Sequence, residues 1–180
     1  MSYQTKVKEF MQTFGQECPT RPTVIDEKNR ILRVKLLLEE VLELAEASGV
    51  EIIANTGSGS CTIDTSSLKN GYLALQTNSN NVDLVEVADA IADISYVNYG
   101  AANAYGIDIE PIEDEVHSSN MTKLFTTEEV DALDRNEFTY KPVRLSGKCL
   151  LVKNKDGKVQ KSPSYTPADV AKYINQQING

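Results

Sequence analysis

The stretch Asp83-Leu-Val-Glu-Val-Ala-Asp-Ala-Ile-Ala-Asp-Ile-Ser-Tyr-Val-Asn-Tyr-Gly100 decides how the rest of this chain is read. It lies inside a longer run, between Lys69 and Lys123, that holds neither lysine nor arginine. Glu86, Asp89 and Asp93 recur at i, i+3 and i+7, the spacing that puts side chains on one face of a helix. Val, Ala, Ile and Tyr fill the remainder, so the helix is apolar nearly all round and is expected to be buried. Carboxylates on such a helix repel one another and resist leaving water, so positive charge must come from elsewhere. A hard divalent cation such as Mg²⁺, taken up by oxygen ligands alone, is the simplest supplier.

A second acidic helix precedes it. After Asp26, a good N-cap, the chain reads I-L-R-V-K-L-L-L-E-E-V-L-E-L-A-E-A-S-G from Ile31 to a closing Gly49. Helical rotation puts Glu39, Glu43 and Glu46 on one face, with Glu40 about 60° from Glu43. A glutamate run is ordinarily a solvated face. Here Leu36 and Ala47 fall inside the acidic arc, and the other acidic helix also lacks a partner. Packing Glu40-x-x-Glu43 against Glu86-x-x-Asp89 gathers carboxylates for a hard cation, which takes about six oxygens. Asp93, one turn beyond Asp89, is either a further ligand or an anchor behind the ligands. A di-iron bundle is excluded, because it takes Glu-x-x-His from two helices and this chain has His117 as its single histidine.

The 180 residues, 41% hydrophobic, suffice for one domain with a real core. A net charge of −8 argues against a nucleic-acid backbone binder, yet a bound metal can reverse the local field for a polyphosphate. Cys18, Cys61 and Cys149 follow no metal-ligand pattern, and an odd number suits a reducing compartment. The amphipathic start lacks a signal-type apolar core, and no apolar run approaches the roughly 20 residues that span a bilayer. A soluble, cytoplasmic protein without a membrane or nucleic-acid partner is therefore expected.

The remaining elements are readable in outline. Val7, Phe10, Met11 and Phe14 mark a first helix over residues 3–15, stopped by Gly15. Residues 54–82 are polar and read as a long connection holding a short hairpin or helix. The acidic helix spans 83–104, another begins near Pro111, and T-T-E-E-V-D-A-L from Thr126 reads as a capped turn. The segment around N-K-D-G, residues 154–157, reads as a hairpin, and a last helix over 166–178 is expected to be capped by Thr166. The fold class is all-α, a helix bundle with a small C-terminal β-hairpin, in a single domain over 1–180 with a polar insert at about 54–80.

In these residues the chain resembles the all-α nucleoside triphosphate pyrophosphatase superfamily, the MazG-like and phosphoribosyl-ATP pyrophosphohydrolase-like proteins. Its hallmark, E-x-x-E on one helix and E-x-x-D on another, stands here as Glu40–Glu43 and Glu86–Asp89. L-L-L-E-E-V-L-E-L-A-E-A, D-A-I-A-D-I-S-Y-V-N-Y-G-A-A and I-E-D-E-V-H-S-S-N-M-T-K-L reinforce it. The departure is a longer gap between Glu43 and Glu86. The resemblance implies a MazG-like fold, an obligate dimer or tetramer of this chain, and hydrolysis of a nucleoside triphosphate between its α and β phosphates. It also implies Mg²⁺, with Mn²⁺ able to stand in, on Glu40, Glu43, Glu86 and Asp89, with the attacking water oriented or deprotonated by Glu39 or Asp93, Glu39 being favoured because the family's E-E-x-x-E leaves it beside the metals.

Asn120 and Lys123 are candidate phosphate contacts, Lys123 being the first cation after the long acidic stretch. Tyr96 and Asn98 are candidates to line a nucleoside pocket, with core packing the alternative for Tyr96. One of Arg30, Arg33 and Lys35 is a candidate to reach a phosphate, the others being solvated, and His117 either touches substrate or is hydrogen-bonded within the fold. Candidate substrates are dGTP or GTP, dUTP and dCTP. The alternatives are phosphoribosyl-ATP hydrolysis in histidine biosynthesis, and a non-catalytic helical module whose acids bind Ca²⁺ or a basic partner.

Overall fold

A computed structural model describes residues 1–55, 62–68, 70–79, 82–133, 136–143 and 149–180. Contacts divide the chain into two compact units, Met1–Gly106 and Ile107–Gly180.

The first unit holds helices α1 (Tyr3–Thr13), α2 (Glu27–Ala47) and α3 (Leu84–Ala104), with strands β1 (Val50–Ala54) and β2 (Leu73–Thr77) between α2 and α3. Local chemistry sets the ends of the long helices. The Asp26 carboxylate accepts from the Asn29 backbone N–H at 3.0 Å, a bond that holds it below the usual carboxylate range. Asp83 caps α3 in the same way through Val85 N–H at 2.9 Å. Gly49 and Gly106, both at positive φ, end α2 and α3. The polar insert resolves into an antiparallel hairpin, Val50 opposite Thr77 through Ala54 opposite Leu73, while Cys61 lies outside the described residues.

The core of this unit is small: Val7, Met11 and Ala104, with Cys18, Ile25, Tyr96 and Tyr99 packed on it. Expected burial of α3 all round is not what the single chain has. Ala90, Gly100, Asn103 and Ala104 are its buried residues, while Leu84, Val85 and Ile91 stand 77%, 75% and 51% exposed. The apolar circumference exceeds what α1 and α2 can cover within one chain.

In the second unit follow α4 (Glu110–Met121), α5 (Thr127–Asp131), β3 (Phe138–Val143), β4 (Cys149–Asn154) and α6 (Val170–Asn179). Thr126 and Glu129 form a capping box on α5, as the sequence pattern predicts. The hairpin expected around N-K-D-G is present but short: Lys153 bridges Val159, Asn154 N–H donates to the Lys158 carbonyl and Gln160 N–H to the Val152 carbonyl, while the longer partner of β4 is the upstream strand β3. Asn154 Oδ1 accepts from the N–H groups of Asp156 and Lys158, which closes that turn. The last helix begins at Val170 with Asp169 as its cap. Thr166, expected as that cap, lies four residues before the helix start, with its backbone N–H donating to Thr122 Oγ1 and its carbonyl accepting from Ser119 Oγ. The core of this unit is Phe125, Val130 and Val152.

Among the described residues no helix is long and apolar enough to cross a membrane.

Candidate active site

The site lies on the seam between α2 and α3. Glu40 is half-buried there, and its carboxyl is pushed above its ordinary value. Burial is the first cause, followed by the negative charges of Glu43, Asp93, Glu39 and Asp89. Two of those charges, Asp93 and Asp89, come from α3, so acids of both helices lie along one seam, with Asp93 in the place the sequence reading gave to Glu86. The helices run in opposite directions: Glu40 meets Asp89 and Asp93, while Arg33, two turns earlier on α2, reaches Gly100, two turns later on α3.

The other acids stand at the rim. Glu39, Glu43, Asp89 and Asp93 are exposed. Glu39 Oε1 lies 3.3 Å from Lys35 Nζ, one turn back on the same helix. Both partners are open to water, so the pair contributes little to stability. Glu86, in the first turn of α3, is exposed and is not among the charges acting on Glu40.

Among the described residues no three His, Cys, Asp or Glu side chains are gathered tightly enough to make a ready-made metal cluster. The donor set is nonetheless all carboxylate oxygen, and the crowding felt by Glu40 is the kind a hard cation relieves.

The remaining predicted residues have other surroundings. Tyr96 packs on the small core and meets Phe10 edge to face, ring centroids 5.7 Å apart. Asn98 is exposed on α3. Lys123 and Asn120 belong to the second unit, where Lys123 Nζ donates to Asn120 Oδ1 at 2.6 Å. His117 is exposed on α4.

Arg33 is the residue whose place the sequence did not reveal. It is the buried residue of α2, 9% exposed. Its Nη2 donates to Gln16 Oε1 at 2.9 Å, and its Nε is buried without a hydrogen-bond partner. Burial lowers its pKa, and the opposing influence comes from the Cys18 sulfur, which carries charge only as a thiolate, rather than from a carboxylate. Cys18 is itself pushed up by burial, against the opposing pull of Lys8 and Arg33. Arg33 lines a cavity of about 560 Å³ under the link from α1 to α2. One sequence signal pointed to it: Arg33 precedes Glu40 by seven residues and so shares its face of α2.

The phosphoribosyl-ATP pyrophosphohydrolase family, part of the MazG-like pyrophosphatase superfamily, matches residues 7–120, more than half the chain, and the chain belongs to that family. It is thus a nucleotide pyrophosphohydrolase, a hydrolase acting on acid anhydrides, in a typically metal-dependent family. No curated protein matches the chain.

Proposed function

We propose that this protein is a Mg²⁺-dependent nucleoside triphosphate diphosphatase that hydrolyses the α–β anhydride to a nucleoside monophosphate and pyrophosphate. The observation that carries the reading, beside family membership, is Glu40 set against Asp89 and Asp93 across the α2–α3 seam. Glu40, Glu43, Glu86 and Asp89 would hold the ion, with Asp93 anchoring the group or adding a ligand. When bound, the ion supplies neutralisation of the phosphates and a more acidic water. Glu39 then takes the proton as water oxygen bonds to phosphorus and the bond to the departing pyrophosphate breaks. Its ion pair with Lys35 keeps the carboxylate directed along α2.

Self-association is part of the proposal. Exposed Ile31, Val34 and Leu38 form an apolar ridge on α2, and Leu84 and Val85 add another patch on α3. A second copy covers such ridges in a homodimer, or in a tetramer built from dimers.

A second reading, phosphoribosyl-ATP hydrolysis, is favoured by the family's own description and uses the same acids. The test is incubation with each dNTP, each NTP and phosphoribosyl-ATP in the presence of Mg²⁺, with products separated by chromatography. A monophosphate plus pyrophosphate from nucleoside triphosphates supports the proposal. Turnover of phosphoribosyl-ATP alone replaces it with the second reading. Orthophosphate release means a different bond is cut, and no turnover returns the chain to a binding role.

A further inference from the structure

We infer that the outward face of the C-terminal sheet is a docking surface for a nucleic-acid strand, gripped through its phosphates without reading its bases. Residues 138–165 hold seven of the chain's 18 lysines and arginines but one of its 26 acids, Asp156. The net charge of −8 argues against such a partner only while charge is averaged over the whole chain, and here it is segregated. This stretch also lies beyond residues 7–120, which the hydrolase family matches, so the inference stands apart from the diphosphatase reading.

Register shows which lysines share the face. Val152 is fully buried, so its neighbours Leu151 and Lys153 point away from the core. Thr139 lies opposite Lys153 on β3, and Val159 lies opposite it on the other side. Lys141 lies opposite Leu151, which makes Lys141 and Lys153 diagonal neighbours about 7–8 Å apart, wide enough for separate phosphates. Exposed Lys155 and Lys158 extend the charge into the turn, where Asp156 Oδ2 accepts from Asn154 Nδ2.

Two ordinary roles of surface lysine do not account for this face. Lysine often guards an exposed sheet edge, but β4 is flanked on both sides at Lys153. Charged sheet residues commonly meet an opposite charge across the strands, yet the residues facing Lys141 and Lys153 are Leu151, Thr139 and Val159. Among the described residues the ion pair is Lys35 with Glu39, and none of the four lysines meets a carboxylate. A polyanion with closely spaced charges complements such a row and releases its own counterions on binding. The face carries no aromatic side chain, so neither base stacking nor insertion into a lipid surface is built into it.

The test follows fluorescence anisotropy of short labelled DNA strands of different sequence with the unaltered protein, in EDTA so that no metal ion bridges the DNA to the acids. All sequences are expected to bind alike. Four phosphate contacts give a slope of about −3 in log K against log salt, so affinity should fall roughly 50-fold between about 50 and 200 mM salt. Lys141→Gln, Lys153→Gln, Lys155→Gln and Lys158→Gln together are expected to abolish binding while circular dichroism matches the parent, and each alone to reduce the slope by about 0.7. No binding at low salt, or binding that the fourfold variant retains, overturns the inference. Stronger attachment to phosphatidylserine vesicles than to DNA also overturns it, making the face a membrane contact. The salt slope needs the parent alone, so a poorly folded variant cannot decide the matter, and a slope near zero would end the proposal by itself.

Discussion

Gln4 and Asn103 clasp each other inside the first unit: Gln4 Nε2 donates to Asn103 Oδ1 at 3.0 Å, and Asn103 Nδ2 donates back to the Gln4 backbone carbonyl at 3.1 Å. The two side chains are only 9% and 4% exposed. They tie the start of α1 to the end of α3, where the apolar core of Val7, Met11 and Ala104 is thin. Asn103→Ala removes both bonds at once and leaves buried polar atoms short of partners. It is expected to cost about 1–3 kcal/mol in urea unfolding. A loss under about 0.5 kcal/mol would mean that apolar packing alone holds α1 in place.

Glu43→Gln and Asp89→Asn test the seam as a metal-holding site. Each keeps size and hydrogen-bonding capacity while deleting one charge from opposite helices. Both variants are expected to lose at least about 100-fold in kcat/KM, more than the 10- to 100-fold typical of groups that merely support metal ligands. Their helical circular dichroism should match the parent. Full activity in either would remove that residue from the site.

Glu40 sets a pH dependence. Its carboxyl is raised in the folded chain, by burial first and neighbouring acids second, so folding favours the protonated form. The penalty is present above the raised folded pKa and disappears as pH falls through it. Metal-free protein is therefore expected to lose stability as pH rises through that range towards neutral. Glu40→Gln should raise the metal-free Tm at neutral pH and change it little at acid pH. Adding Mg²⁺ to the parent should raise Tm mainly at neutral pH, where the acids are ionised. A Glu40→Gln variant with an unchanged or lower Tm at neutral pH would show that crowding does not strain this fold.

What the sequence disclosed follows from the range of each interaction. Asp26, Asp83, Gly49 and Gly106 act within a turn of themselves, so the bounds of α2 and α3 were legible. Helical rotation is regular, so the turn of Glu40 toward α3 was legible, whereas which α3 acids approach it depends on how the two helices pack: Asp89 and Asp93 act on it and Glu86 does not. The β1–β2 pair was only half-read, because Val50 and Thr77 find each other across a long polar segment without a clean alternation. Thr166 looked like a cap, but α6 starts four residues later and the Thr166 backbone bonds Thr122 and Ser119. Arg33 looked solvated among Arg30 and Lys35. Its burial depends on Gln16, Gly100 and Met11 arriving from elements distant in sequence.

Gly106 ends α3 against the link from α1 to α2. Its φ of +66° suits glycine, and a Cβ there would run into the backbone of Arg21. The same corner carries the bond from Thr23 N–H to the Tyr105 carbonyl at 2.9 Å, which holds the α1–α2 link in place. Gly106→Ala therefore combines positive-φ strain with a backbone clash and is expected to cost at least about 1 kcal/mol. Thermal unfolding checks this, and an unchanged Tm would contradict the contact with Arg21.

Ile31, Val34 and Leu38 test the proposed self-association. They are 60%, 67% and 55% exposed and line an apolar trough with Glu27, Arg30 and Lys35. A single chain that leaves these side chains in water gains by covering them with a copy of itself. The parent protein is expected to sediment as a dimer or tetramer at micromolar concentration. Val34→Asp places a charge in the middle of the ridge, and is expected to shift that equilibrium towards monomer at least about tenfold, since burying an unpaired carboxylate is costly. Because Val34 lies on α2 beside Lys35, and Lys35 pairs with Glu39, loss of the partner should also weaken catalysis. A parent that sediments as a monomer, or a Val34→Asp variant that assembles as the parent does, would show that this ridge is not where copies meet.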